Sequence, residues 1–197
     1  MQIDSHHHQA HRVHSEPHIM TVSDPALYSK VLAFRARVYR QHYPAITNPE
    51  APDIYDFASH YFTTVNGTGE VTSCSRLVLD NPKGLPSEPY VQPYVEDYRR
   101  RGVLLAELGR MAVGEDSPSV VIAHFTHALR EARRLGVQEM VFVAPWQKRA
   151  FFTKYLGAEM VCADIQQTFG SGKTFAVYLW HTQAPSDRVT RKLFKLN

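Results

Sequence analysis

Val103-Leu104-Leu105-Ala106-Glu107-Leu108-Gly109-Arg110-Met111-Ala112-Val113 is an apolar run long enough for a central strand, yet Glu107, Gly109 and Arg110 stand in its middle. Burying an ion costs several kcal/mol unless it finds partners. The run therefore requires an ion-pair lattice around it, a functional cleft beside it, or both. In a regular strand Glu107 and Arg110 have opposite parity and point to opposite faces. One extra residue in a bulge brings them to the same side, and Gly109 is where a bulge forms most easily. A bulged central strand splays from its neighbour and bares backbone N–H groups, which opens a sheet to an extended ligand.

Working upstream, further charges fall in apolar settings. Arg76 interrupts the strand-like stretch Glu70 to Asp80, the return of a hairpin from His60 to Val65 through Asn66-Gly67-Thr68-Gly69. Asp53-Ile54-Tyr55-Asp56 places two carboxylates just before that hairpin, after a loop, Pro44 to Pro52, with three prolines. Ser23-Asp24-Pro25 supplies an N-cap and a first-turn proline for a helix. Leu27, Val31, Phe34, Val38 and Tyr39 form its apolar stripe, which contains Arg35 and excludes Arg37. Arg35, Arg76 and Arg110 thus match Asp53, Asp56 and Glu107 in number, as a balanced lattice would. Among arginines, Glu107 should have a lowered pKa and be a poor general base. An arginine not fully spent on carboxylates, Arg76 or Arg110, could hold a substrate carboxylate by a bidentate contact.

Downstream, Ser117-Pro118 opens a long amphipathic helix to Leu135. Its exposed face is expected to carry Arg130, Arg133 and Arg134. Gln138 to Ala144 reads as a buried strand, Pro145 to Leu156 as a helix with Trp146, Phe151 and Phe152, and Glu159 to Asp164 and Thr174 to Trp180 as strands. Between the hairpin and the central run, Asn81 to Pro93 reads as loop and Tyr94 to Arg101 as a short helix. A first short strand is expected within His18 to Val22.

At 197 residues and 44% hydrophobic the chain is sized for one domain. Residues 1–17, with His6, His7, His8, His11 and His14 in a polar setting, read as a disordered leader, residues 18–184 as the domain, and residues 185–197 as a basic tail. No metal site is expected. Two distant cysteines, Cys74 and Cys162, indicate free thiols, and the lack of a signal-like or spanning segment indicates a cytoplasmic protein. A net charge of +3 is too weak to indicate nucleic acid but suits an acidic protein partner.

The alternating order of strands and helices, with a mixed sheet diverging at its middle, resembles the GNAT acyltransferase fold, an α/β (α+β) class. Phe151-Phe152-Thr153-Lys154-Tyr155-Leu156-Gly157-Ala158 resembles that superfamily's Phe-Tyr-x-x-x-Gly-Phe segment. The Gln/Arg-x-x-Gly-x-Gly/Ala pyrophosphate loop is missing after Val113, where Gly-Glu-Asp-Ser-Pro-Ser stands instead. Four stretches resemble the carrier-protein-dependent branch, which includes autoinducer synthases and long-chain N-acyl amino acid synthases. They are Phe34 to Tyr39, Asp53 to Ser59, Gly69 to Leu77, and Glu107-Leu108-Gly109-Arg110-Met111-Ala112-Val113. The tryptophan that autoinducer synthases carry soon after the position of Tyr39 is absent. The resemblance is therefore to the N-acyl amino acid synthases, of the N-acyl tyrosine synthase type.

That resemblance implies transfer of a long-chain acyl group from the phosphopantetheine thioester of an acyl carrier protein to the α-amino group of an amino acid, tyrosine above all, with no further cofactor. The implied catalytic residues are Glu107, Gly109 and Arg110, the last two at the bulge whose backbone N–H groups would hold the oxyanion. The implied substrate-binding residues are Arg35, Arg76, Asp53, Asp56, Trp146, Phe151 and Phe152. Arg130, Arg133, Arg134, Lys148, Arg149 and Lys154 would form one docking patch for the carrier if their two helices adjoin. The alternatives are an autoinducer synthase using S-adenosylmethionine and a non-catalytic acyl-binding module.

Overall fold

The computed structural model describes residues 18–115, 117–165 and 173–183. The expected leader, residues 1–17, and the basic tail, residues 185–197, lie outside them. In chain order the elements are β1 (Met20–Thr21), α1 (Pro25–His42), β2 (Ser59–Val65), β3 (Val71–Leu79), α2 (Glu88–Arg100), β4 (Leu105–Val113), α3 (Pro118–Arg134), β5 (Glu139–Pro145), β6 (Glu159–Ile165) and β7 (Phe175–His181). The seven strands form one sheet in the order β1-β2-β3-β4-β5-β7-β6.

Local chemistry starts and stops these elements much as the sequence suggests. The Asp24 carboxylate accepts from the N–H groups of Ala26 and Leu27 at the head of α1. Arg35 is buried on that helix and Arg37 is exposed, its guanidinium lying over the Phe34 ring. In the β2–β3 turn Asn66 Oδ1 accepts from the N–H groups of Thr68 and Glu70.

Two helical expectations need correction. α2 begins at Glu88 rather than Tyr94, because Ser87 and Pro89 already open a helix; it kinks at Val91, where Pro93 supplies no N–H for the turn before it. The single helix expected from Pro145 to Leu156 is instead a 3₁₀ turn, Trp146–Lys148, and a π turn, Phe151–Tyr155. The wider turn lets Phe152 reach the core while Phe151 packs edge-on against it.

The sheet separates two cores. α3 covers one face with Phe125, Ala128, Leu129 and Ala132, against Phe62, Leu77, Leu108, Phe142 and Tyr178. α1 and α2 cover the other, Phe34 and Val38 meeting Tyr61 and Cys74, and Val91 and Val95 meeting Val78, Leu105 and Val141. β4 and β5 run parallel across the α3 crossover, but they pair only from Leu105 with Glu139 to Leu108 with Phe142. Beyond that point β4 continues to Val113 along β3, and β5 continues to Pro145 along β7. The sheet therefore splays at its centre, from Gly109 onward.

Candidate functional site

The splay coincides with a break in the β3–β4 ladder. Cys74 pairs with Ala112 and Arg76 with Gly109, so Ser75 alone opposes both Arg110 and Met111. This is the expected bulge, one residue later than expected. The left-handed backbone belongs to Arg110, with φ of 51°, and not to Gly109. A non-glycine residue held there costs about 1 to 3 kcal/mol. Gly109 has no such need: a Cβ added to it would come no nearer than 3.7 Å, to Glu107 Oε1. Gly109 is thus a neighbour of the bulge, and Arg110 its pivot.

Arg110 aims its side chain at the loop before β2. Its Nη2 donates to Asp53 Oδ2 at 3.0 Å, while the side chain stays 30% exposed. Arg76, only 1% exposed, donates through Nη1 to Asp53 Oδ1 and Asp56 Oδ1, both at 2.6 Å. Its Nε, also buried, has no hydrogen-bond partner. Asp56 further accepts from Tyr61 Oη at 2.6 Å, from Tyr28 Oη and from the Asp53 N–H. Both aspartates are so fully engaged as acceptors that they act as scaffolding. Burial pushes the Asp53 carboxyl up, but Arg76, the Tyr55 N–H and Arg110 outweigh it and hold the group below the usual range.

The balanced three-by-three lattice is therefore corrected at both ends. Arg35 touches no carboxylate: Nε and Nη2 donate to the carbonyl of Pro49, Nη2 also to that of Ala51, and Nη1 to Tyr61 Oη. It clasps the proline-rich loop with all three of its nitrogens engaged and is buried, which removes it from the substrate-binding set. Glu107 touches no arginine. Its Oε2 accepts from the Ser87 backbone N–H at 2.8 Å and from Ser87 Oγ at 2.7 Å.

Glu107 is 5% exposed. Burial pushes its carboxyl up to about 7, against the two Ser87 hydrogen bonds and the more distant charges of Arg76 and Arg110. The expected depression is thus reversed, because desolvation at this depth exceeds the pull of guanidinium groups that do not touch it. A carboxyl that titrates near neutrality is suited to general base work. It lies on the face shared with Leu105 and Val141, beside Leu108, the last residue of β4 paired to β5. Ser87 was missed from sequence; its signal is the N-cap position before Glu88-Pro89. The Asn81–Ser87 loop that presents it borders an open cleft of about 570 Å³, lined in part by Tyr55, Lys83, Glu88 and Gln92. Burial first, then the negative charges of Glu107, Asp53 and Glu88, pushes the Tyr55 phenol up, and the same residue lines the cleft.

The basic residues do not form one patch. The Arg133 Nε donates to the carbonyl of Thr182, which is itself tied to Val137 and Gln138 just before β5. Lys148, Arg149 and Lys154 follow the far end of β5, where the Trp146 N–H donates to Thr174. Seven residues of strand, about 20 Å, separate the two triplets. Arg134 pairs with Glu131 on its own helix, and Arg130 is exposed near it. Only Lys148, Arg149 and Lys154 stand at the open end of the splay, all exposed, with the Arg149 guanidinium 4.5 Å over the Trp146 ring. Phe152 is core, packed on Phe125, Phe142 and Tyr178, whereas Trp146 and Phe151 are partly exposed.

A seven-stranded mixed sheet, splayed between two parallel central strands with a bulge on the first, is the fold of GNAT-type acyltransferases. A family model described as N-acyl amino acid synthase FeeM matches residues 28–179, and the chain belongs to that family of N-acyltransferases. Its fold is similar to that of FeeM, an N-acyl amino acid synthase from uncultured soil microbes (18% identity, TM-score 0.64, 83% of this chain and 95% of that one). It is also similar to the AHL synthase LasI (14%, 0.67, 91% and 96%) and to an acyl-CoA N-acyltransferase from Pseudomonas aeruginosa (15%, 0.59, 83% and 99%). No curated protein matches the chain in sequence. Among the described residues no helix is long and apolar enough to cross a membrane.

Proposed function

We propose that the enzyme moves a long-chain acyl group from an acyl carrier protein to the α-amino group of an amino acid, tyrosine being the first candidate. The observation that carries this reading is Glu107, a carboxyl poised near neutrality at the fork of β4 and β5. The amine attacks the thioester carbonyl, the C–S bond breaks, and an amide and the carrier thiol result. Glu107 takes the ammonium proton, directly or through water. Backbone N–H groups of 109–113 that face away from β3, on the side that has left β5, would stabilise the oxyanion. The unspent donors of Arg110, whose side chain is 30% exposed, suit the acceptor carboxylate, whereas Arg76 is too deeply buried to reach it. The cleft beside Tyr55 offers room for an aromatic side chain, and Trp146 with Phe151 offers an apolar wall for the acyl chain, Phe152 forming its floor.

The likeness in fold to an AHL synthase favours a second reading, with S-adenosylmethionine as amine donor and a lactone product. Mass spectrometry of lipids from bacteria expressing the protein separates the two. N-acyl tyrosine is expected, and N-acyl homoserine lactone or no new lipid would contradict the proposal. For the donor, Lys148, Arg149 and Lys154 suit an acidic carrier surface, an attraction that salt weakens. kcat/KM with acyl carrier protein is expected to exceed that with the matching acyl-CoA at least roughly tenfold, about 1.4 kcal/mol. Lys148→Glu with Lys154→Glu should narrow the gap and Arg134→Glu should not. Equal rates with both donors would reject the carrier.

A further inference from the structure

The ladder has a better-suited residue for its left-handed position than the one it uses. Moving the bulge one residue back would give that position to Gly109, which adopts positive φ without steric cost. Arg110 would then become extended and leave the strand in another direction, away from its contact with Asp53. The observed register keeps the arginine in the left-handed conformation. One hydrogen bond from a side chain that is 30% exposed is a weak reason for that choice.

A stronger hold lies on the opposite face. Ser73 and Ser75 are two residues apart on β3, so their side chains point to the same side, toward α3. There His124, fully buried, meets both: Nε2 lies 2.7 Å from Ser73 Oγ and Nδ1 2.8 Å from Ser75 Oγ. Burial first, then the neighbouring His127, pushes its pKa down to about 4, so the ring is neutral and must donate through one nitrogen and accept at the other. Ser73 Oγ is held in turn by Thr64 Oγ1 at 2.6 Å, and Thr64 by Thr72 at 2.7 Å. The imidazole thus ties down Ser75, the residue that opposes both Arg110 and Met111, from α3, the helix that follows β4 in the chain. In the shifted register Ser75 would oppose one residue only.

We infer that His124, through Ser75, is a positioning residue that selects the bulge register and so aims Arg110 into the site. The kinetic part of this inference rests on the proposed role of Arg110 toward the acceptor carboxylate; the structural part does not. Crystal structures of Ser75→Ala and His124→Leu test it, the serine variant deleting only one hydroxyl in case the histidine variant fails to fold. The expected result is Gly109 at positive φ and Arg110 extended, with the amino-acid KM raised at least roughly tenfold and kcat changed far less. Arg110 retained at positive φ in the Ser75→Ala enzyme would overturn the inference whatever the kinetics. A moved bulge with an unchanged amino-acid KM would support the register role and count against the carboxylate role of Arg110.

Discussion

Residues 105–108 and 109–113 are two halves of one strand, and they meet different demands. The first half is hydrogen-bonded to β3 on one side and β5 on the other, with its apolar side chains in the two cores. The second half keeps only β3 and contains the bulge. Glu107 belongs to the first half and Arg110 to the second. A stretch laddered on both sides excludes water, which is what raises a carboxyl toward neutrality. A stretch laddered on one side can offer backbone N–H groups and a charged side chain to a substrate. The end of the parallel ladder at Leu108 therefore divides the proposed base from the proposed substrate-holding arginine within three residues.

The largest effect should come from the laddered half. Glu107→Gln is expected to lower kcat by about 10² to 10⁴ with the fold intact, because a glutamine oxygen can still accept both Ser87 hydrogen bonds. Stability should move the other way. The folded carboxyl titrates at about 7 against 4.5 for the ordinary group, so its contribution is fully present below pH 4.5 and is lost as pH rises through 7. Between those values the unfolded chain gives up its proton while the folded chain retains it. The glutamine variant lacks this loss and should be more stable than the parent at pH 8 by up to about 3 kcal/mol, and close to it at pH 4.5. Urea unfolding at the two pH values measures this; the same difference at both would place the carboxyl outside the buried site.

A smaller and different effect is expected across the boundary. Arg110→Gly removes the guanidinium but gives the left-handed position to a residue that accepts it freely. The strain released offsets the lost Asp53 contact, so stability should change by less than about 1 kcal/mol. The amino-acid KM should rise at least roughly tenfold while the acyl-donor KM is little altered. A rise in the acyl-donor KM instead would assign Arg110 to the other substrate.

How much of this was legible depended on the range of the signal. Helical period placed Arg35 inside and Arg37 outside, the Asn66-Gly67-Thr68-Gly69 turn set the β2–β3 hairpin, and charges within an apolar run marked β4 as the candidate site. These are local patterns. The partners of those charges were not local. Arg35 found loop carbonyls instead of carboxylates, and Glu107 found a serine twenty residues earlier, donating through both backbone and hydroxyl. Gly109 was the natural residue for the bulge by propensity, and cross-strand register gave it to Arg110. The six basic residues were neighbours in a list of helices but belong to opposite ends of β5.

The pH dependence of kcat, at saturating acyl donor and amino acid, tests the role of Glu107 most directly. As the proposed base, Glu107 must be ionised, so kcat should rise with pH along a limb centred near 7. Ser87 Oγ donates to that carboxylate and holds its pKa down, so Ser87→Ala should move the limb to higher pH, by about half a unit or more, with the plateau retained. A kcat that is flat between pH 6 and 8, or a limb that stays in place in the Ser87→Ala enzyme, would contradict Glu107 as the base.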